Sequence, residues 1–269
     1  MTVKLLESAE VGRTKLLREL ERDPVKNLCA IWNLTRDPDN TKLYSCFESD
    51  RMLGYLLLYS GLSHPMAMAI LEAESEEIGS KLMDVLPWEK FAILVSPARY
   101  NIVAERYGSI WSCLENELSL TGSPFSSLKS KYEPIRIPST EAEKLLDFYP
   151  RQTAGSRSLA GYEKWLDNQT VYGIFVNGKI VCVAGTYIES QHGWMLGGLY
   201  TDPGYRGLGL GTTVTSVLTV EALKRSQRAI AYVESTNKAS LRILEKLGYR
   251  KTRDIMFADI GTGVRPLMS

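Results

Sequence analysis

Residues Leu196–Val220, LGGLYTDPGYRGLGLGTTVTSVLTV, constrain what this chain can fold into more than any other stretch. An apolar run ends at Tyr200, a turn follows at Asp202-Pro203-Gly204, and then comes Arg206-Gly207-Leu208-Gly209-Leu210-Gly211. Helical periodicity begins at about Gly209. Strand, Gly-rich turn and helix together make an anion-binding arrangement. The first N–H groups of a helix have no intrahelical acceptor, and the helix dipole adds partial positive charge there. Glycines let the backbone close round a diphosphate without Cβ atoms in the way.

Other glycine-rich loops need different residues. A Walker A loop requires Gly-Lys-Ser/Thr, and none follows. A dinucleotide fingerprint requires G-x-G-x-x-G and an acid about twenty residues on, after a second strand. Here the spacing is G-x-G-x-G, and Glu221–Gln227 still reads as helix. A plain turn before a helix explains one glycine or two, fewer than are present.

Arg206, Gly209 and Gly211 form a pattern that resembles the R/Q-x-x-G-x-G/A motif of the GNAT N-acetyltransferase superfamily. The resemblance continues at Val233-Glu-Ser-Thr-Asn237 and through Ser240–Tyr249, SLRILEKLGY, which is similar to that family's N-x-x-A/S helix ending in L-G-F/Y. It covers residues 132–260. What it implies is an α+β fold, with a mostly antiparallel central sheet and flanking helices.

With 269 residues the chain exceeds the usual size of one domain, so two are expected. A net charge of +1 gives no bulk electrostatic reason to bind nucleic acid or an anionic membrane, and neither partner is expected. Leu5–Glu21 reads as an amphipathic helix rather than a signal peptide. The apolar run Met52–Tyr59 is far short of the roughly 20 residues of a membrane span. Cys29, Cys46, Cys113 and Cys182 lie far apart, and His64 and His192 are the two histidines. No metal is expected, and free thiols point to a cytoplasmic protein.

In order, the first half reads as a hairpin over Thr41–Phe47 and Met52–Tyr59, a strand at Ala67–Ala73 and a helix at Glu76–Leu86. A strand at Phe91–Val95, a helix at Arg99–Tyr107 and a strand at Ile110–Leu118 follow. Leu28–Leu34 is ambiguous between helix and strand. Residues 119–139 have linker composition. The second half reads as helices at Glu141–Tyr149 and Leu159–Asn168 and a hairpin round Asn177-Gly178. Then come a strand at Trp194–Tyr200, the helix Gly209–Gln227, a strand at Ala229–Val233, a helix at Asn237–Leu247 and a strand at Tyr249–Ile260.

The two halves repeat one order of elements, which predicts tandem GNAT-like domains: a degenerate one over 1–120, a linker over 121–131, and an acyl-CoA-binding one over 132–269. The first has no glycine-rich turn. Glu72-Ala-Glu-Ser-Glu-Glu77 stands in its place, where acids would repel a diphosphate.

By resemblance, acetyl-CoA is the co-substrate and lies between the strands Trp194–Tyr200 and Ala229–Val233, which part from one another. Leu199, Tyr200 and Thr201 would meet the pantetheine arm. The N–H groups of Gly207, Leu208, Gly209, Leu210, Gly211 and Thr212 would hold the diphosphate, with charge from Arg206, unless Arg206 pairs with Asp202. Asn237 and Ser240 would contact the cofactor, Asn237 also capping its helix. Lys238, Arg242 and Lys246 form a basic face that either meets the 3′-phosphate or is simply solvated. The implied reaction is direct acyl transfer to a small-molecule or peptide amine. An ammonium with a pKa near about 10 must first lose a proton, and Glu234 is the first candidate base, with Glu189, His192, Tyr187 and Tyr232 behind it. Leu244 occupies the place where many members carry a thiolate-protonating Tyr. A regulatory module that binds acyl-CoA without turnover is the alternative. The order of a degenerate domain before a cofactor-binding one also resembles the glycine N-acyltransferase branch.

Overall fold

The computed structural model describes residues 4–61, 67–108, 110–122, 131–149 and 157–263. His64 and most of the expected linker lie outside the described residues. The chain divides into two compact units. One takes Met1–Leu114 together with Asp254–Gly263, and the other is built on Glu115–Arg253.

In the first unit the predicted single helix over Leu5–Glu21 is instead a strand and two helices. β1 (Lys4–Glu7) pairs antiparallel with β2 (Thr41–Glu48) from Lys4↔Phe47 to Glu7↔Tyr44. Gly12 then sits at φ +82, where a helix cannot continue, so α1 (Ser8–Val11) and α2 (Arg13–Leu20) are separate. Sequence periodicity cannot register a strand whose reason is a distant partner. The ambiguous segment is a helix, α3 (Leu28–Arg36).

β3 (Arg51–Tyr59), β4 (Met68–Ala73), α4 (Glu76–Met83), β5 (Phe91–Val95) and α5 (Tyr100–Tyr107) follow. β4 and β5 run parallel over Met68–Leu71, and the other neighbours are antiparallel. The long apolar run in β3 is explained by cover on both faces. Leu56 and Leu58 pack with Ile78 and Leu82 of α4, whereas Tyr55 and Leu57 pack with Leu16, Leu20 and Ile31. Side chains alternate across a strand, so a strand buried on both sides needs apolar residues at every position. Burial of each such leucine stabilises by about 1.5–3 kcal/mol.

The remaining strand on β5 comes from far along the chain. Met256–Ile260 pairs antiparallel with Val95–Phe91. Conversely, β6 (Trp111–Thr121) enters the second unit from Glu115 onward.

The second unit continues with β7 (Ile135–Arg136), α6 (Ala142–Phe148), α7 (Leu159–Asn168), β8 (Val171–Val176), β9 (Lys179–Ser190), β10 (Gly193–Thr201), α8 (Leu210–Arg225), β11 (Arg228–Glu234) and α9 (Lys238–Lys246); β12 (Arg250–Ile260) begins in it and belongs to the first unit from Asp254 onward. Its strands lie in the order β6-β11-β10-β9-β8-β7. β10 and β11 are parallel and the other pairs antiparallel. Asn177 and Gly178, at φ 51 and 75, make the two-residue hairpin turn between β8 and β9.

Helices cover both faces of this sheet. Val214 and Leu218 of α8 and Leu244 of α9 pack with Leu118, Leu196, Ala229, Ala231 and Val233. On the opposite face Leu145 and Tyr149, with Tyr162 and Trp165 of α7, pack with Val183 and Tyr200.

Candidate functional site

β10 and β11 are hydrogen-bonded through three residue pairs, from Trp194↔Ala229 to Leu196↔Ala231. Past that point the two strands have no ladder partners in one another among the described residues. The reason lies in β10. Its pairing with β9 shifts register between Met195 and Leu196 and again between Gly197 and Tyr200. Gly198 stands at φ +63, a conformation that L side chains rarely adopt. The Tyr149 hydroxyl, fully buried, donates to the Gly198 carbonyl, and Trp165 Nε1 donates to the Thr186 carbonyl at 2.7 Å. These aromatic groups hold the bulge from the α6/α7 face. Gly197–Thr201 thus runs on without ladder pairs to β11, and its backbone polar groups on that side have no strand partner there: this open edge of β10 is the candidate slot.

The slot opens onto the glycine-rich loop. Asp202 Oδ1 accepts from the Gly204 N–H at 2.8 Å, so its carboxylate is used inside the turn. Arg206 does not depend on it: Arg206 Nε donates to the Thr201 carbonyl at 3.2 Å, with the guanidinium 5.7 Å from the Tyr200 ring centroid. Gly207 and Gly209 both stand at φ +77. Gly211 has a different reason to be glycine, since a Cβ there would meet Ile243 Cδ1 at 3.0 Å. Leu208 is 52% exposed.

Helix α8 starts at Leu210 with no side-chain cap. By contrast Ser75, Ser158 and Asn237 cap α4, α7 and α9 with their own oxygens. The N–H groups of Leu210, Gly211 and Thr212 therefore lack the side-chain acceptor that α4, α7 and α9 have; α2, α3, α5 and α6 also start without one, but not behind two glycines at positive φ. A second helix start lies beyond β11. Asn237 Oδ1 accepts from the Ser240 N–H at 3.1 Å, and Ser240 is buried. Lys238, Arg242 and Lys246 are exposed, and Lys238 Nζ donates to the Ser235 carbonyl at 3.2 Å.

The hydroxyls and carboxylates separate into structural and available groups. Leu244 is part of the core beneath α9. Tyr249 is buried and shares a 2.8 Å hydrogen bond with Thr219, and burial holds its phenol far above the usual range. The Cys182 thiol, beside Thr201 Oγ1 at 3.2 Å, is pushed up to about 12 by burial. Glu189 Oε1 accepts from the Thr170 N–H and the Thr186 hydroxyl, both at 2.5 Å, closing one end of the sheet. His192 lies in the turn before β10, at the end of that strand away from the loop. The Tyr187 ring lies directly against Gly197. Tyr232 accepts from Arg253 Nη2 at 3.1 Å.

Glu234 ends β11, and the Thr236 hydroxyl donates to its Oε1 at 2.5 Å. Its cross-strand partner is a residue that sequence reasoning passed over, Glu115 of β6. Glu115 is 8% exposed. Burial, and secondarily the charge of Glu234, push its carboxyl up to about 7. The signal was present as Glu115 and Glu117, two acids at alternate positions in the strand Trp111–Thr121, hence on one face.

Two parallel strands that part at a bulge, above a glycine loop and an uncapped helix, define the class of fold. It is the GNAT fold, present here in tandem. Residues 171–258 match the family model described as FR47-like protein. Among solved structures, a Drosophila protein superposes with a TM-score of 0.68 at 15% identity, covering 97% of this chain and 99% of the other. A GCN5-related N-acetyltransferase-like protein from Streptococcus suis gives 0.65 at 19% identity, covering 92% and 100%. A tandem GNAT protein from the clavulanic acid biosynthesis pathway gives 0.60 at 14% identity, covering 97% and 99%. No curated protein matches this sequence significantly. Among the described residues no group of His, Cys, Asp or Glu is arranged to hold a metal ion, and no helix is long and apolar enough to cross a membrane.

Proposed function

We propose that the second unit is an N-acyltransferase that moves the acetyl group of acetyl-CoA to a primary amine, on a small molecule or a peptide. The observation that carries this reading is the uncapped start of α8 behind Gly207 and Gly209, aligned with the open edge of β10. The N–H groups from Gly207 to Thr212 suit a diphosphate, with Arg206 adding charge. The backbone of Leu199, Tyr200 and Thr201 suits the amide-rich pantetheine arm, which would pair like an added strand. Asn237 and Ser240, at the start of α9, would flank it. Backbone N–H near Leu199 would stabilise the oxyanion formed as the amine attacks. Glu234 would serve the proton transfer. Four cysteines outside disulfides fit a cytoplasmic setting.

The first unit is read as a copy that carries no cofactor. Its α4 is capped by Ser75 and begins with Glu76 and Glu77, which satisfy and neutralise the helix start from within. A second reading, binding without turnover, is favoured by the buried Leu244, which leaves α9 without a phenol to protonate the thiolate.

The two readings separate in one experiment. Unfolding temperature is measured with and without CoA, then free thiol is assayed with acetyl-CoA and a panel of polyamines, amino acids and peptide N-termini. Saturation at 100 times the Kd should stabilise by about 2.7 kcal/mol. No shift with any acyl-CoA sinks both readings, and a shift without turnover leaves the regulator.

A further inference from the structure

The open end of the slot carries a charge arrangement that the transferase reading alone does not require. Ala231 and Val233 of β11 pack beneath α8 and α9, so the alternate residues Tyr232 and Glu234 face the other side of the sheet. On β6, Leu118 belongs to the α8/α9 face, and Glu115, Glu117 and Ser119 face with Tyr232 and Glu234. The register confirms this: Glu234↔Glu115 and Tyr232↔Glu117 are directly opposite. Like charges so placed, with Cβ atoms about 5 Å apart, destabilise a sheet.

Among the acids of this face Glu117 is paired with a cation, whereas Glu234 has a hydroxyl donor, Thr236, in place of one. Glu117, 2% exposed, accepts from Arg253 Nε at 2.7 Å and from the Thr252 hydroxyl at 2.6 Å. The same guanidinium also donates to Tyr232. Among the described residues neither Glu115 nor Glu234 has an ion pair. Glu115, buried and facing the Glu234 carboxylate without a cation, holds its proton more tightly than an ordinary carboxyl.

Their position gives that proton a use. The β10–β11 ladder ends at Leu196↔Ala231. Tyr232 is the next residue at the mouth of the slot, and Glu234 lies about 7 Å beyond it on the same face. A short chain of waters can span that distance to the place where the strands part.

Resting on the transferase reading above, we propose that Glu115 and Glu234 act as one proton acceptor for the incoming amine. The alkylammonium gives its first proton to the carboxylate pair, directly or through water. The free amine then attacks the thioester carbon, forming the C–N bond, and the C–S bond breaks with its electron pair passing to sulfur. The second proton on nitrogen goes to the thiolate, yielding the amide and CoA thiol. The pair returns its proton to solvent, so one proton is released per turnover. A carboxyl poised near neutrality suits this duty better than an ordinary one, because it accepts a proton and releases it within the working range.

The test uses the full chain, with acetyl-CoA and the best amine of the panel. kcat/KM is followed from about pH 5.5 to 9, alongside CoA affinity, in wild type, Glu115→Gln, Glu234→Gln and the double variant. Wild type should lose rate below about pH 7. Each single substitution should lower kcat/KM by about 10²-fold and move the acid limb, with CoA affinity unchanged. The double variant should be little worse than either single one, as for groups that act as a unit. A wild-type rate and acid limb in Glu115→Gln overturns the pair and leaves the transferase reading standing. CoA binding by wild type without acetylation of any amine removes both. Where Glu115→Gln fails to fold, carboxylate-resolved NMR titration of the wild-type protein decides. Coupled two-step titration of the two residues supports the pair, and two independent titrations in the ordinary range overturn it.

Discussion

Arg99 donates from Nε to the carbonyl of Ala73 at 3.3 Å, tying the end of β4 to the turn after β5. Its Nη2 also donates to the Glu74 carbonyl. By order of elements, Ala73 corresponds to Thr201, whose carbonyl accepts from Arg206 of its own loop. A side chain that follows β5 thus occupies, in the first unit, the region between strand ends where the second unit presents its slot.

Calorimetric titration should accordingly find one CoA per chain. Arg99→Ala should leave that stoichiometry and the affinity unchanged while lowering stability by about 1 kcal/mol. A second equivalent bound by wild type contradicts the reading of the first unit.

The glycines of the loop should respond differently to substitution. Gly209→Val forces a β-branched residue to φ +77, at about 1–2 kcal/mol in stability, and should raise the Kd for CoA. Gly209→Asn tolerates that dihedral and should recover most of both losses. Gly211→Val is limited instead by Ile243, and the same swap to Asn should bring no recovery. Wild-type CoA affinity in Gly209→Val would falsify the anion cradle.

Glu115 makes a prediction about stability that needs no substrate. Its folded-state carboxyl is raised to about 7 from 4.5, so the folded chain holds its proton where the unfolded one has lost it. Stability from this group is complete below about pH 4.5 and is lost as pH rises through 7, by about 3 kcal/mol. Glu115→Gln cannot ionise, so the stability difference between it and wild type should grow in its favour over that interval. Chemical denaturation at pH 5 and pH 8 measures it, and a difference independent of pH contradicts the assignment.

Tyr149→Phe removes the donor to the Gly198 carbonyl. A buried carbonyl left unsatisfied costs about 1–3 kcal/mol. The bulge should relax, and kcat should fall more than CoA affinity does, because the diphosphate contacts lie beyond Thr201. Equal losses in both would place the bulge outside the reacting centre.

What the sequence discloses about this site is what glycine and helix starts can disclose. Gly207 and Gly209 are local demands of the backbone, readable without a partner, and Asn177-Gly178 is another. β1 was not legible, because Lys4–Glu7 becomes a strand through β2 and not through its own pattern. Glu115 was legible only as one of two alternating acids, because its chemistry comes from facing Glu234 across a ladder that joins distant parts of the chain. Arg206 and Asp202, adjacent by sequence logic, each found a backbone partner instead.

The strand that completes the first sheet has a consequence for how the protein is made. β5, Phe91–Val95, takes its outer partner from Met256–Ile260. As the chain leaves the ribosome, this apolar strand emerges and waits with a bare edge until Met256–Ile260 has been translated. Such edges invite pairing with neighbouring nascent chains. Domains ordinarily mature in the order of synthesis; here the earlier unit waits for residues that follow Glu115–Arg253 of the later one. A stop codon or proteolytic cut just after Arg253 would therefore spoil the region translated first, far from the lesion itself.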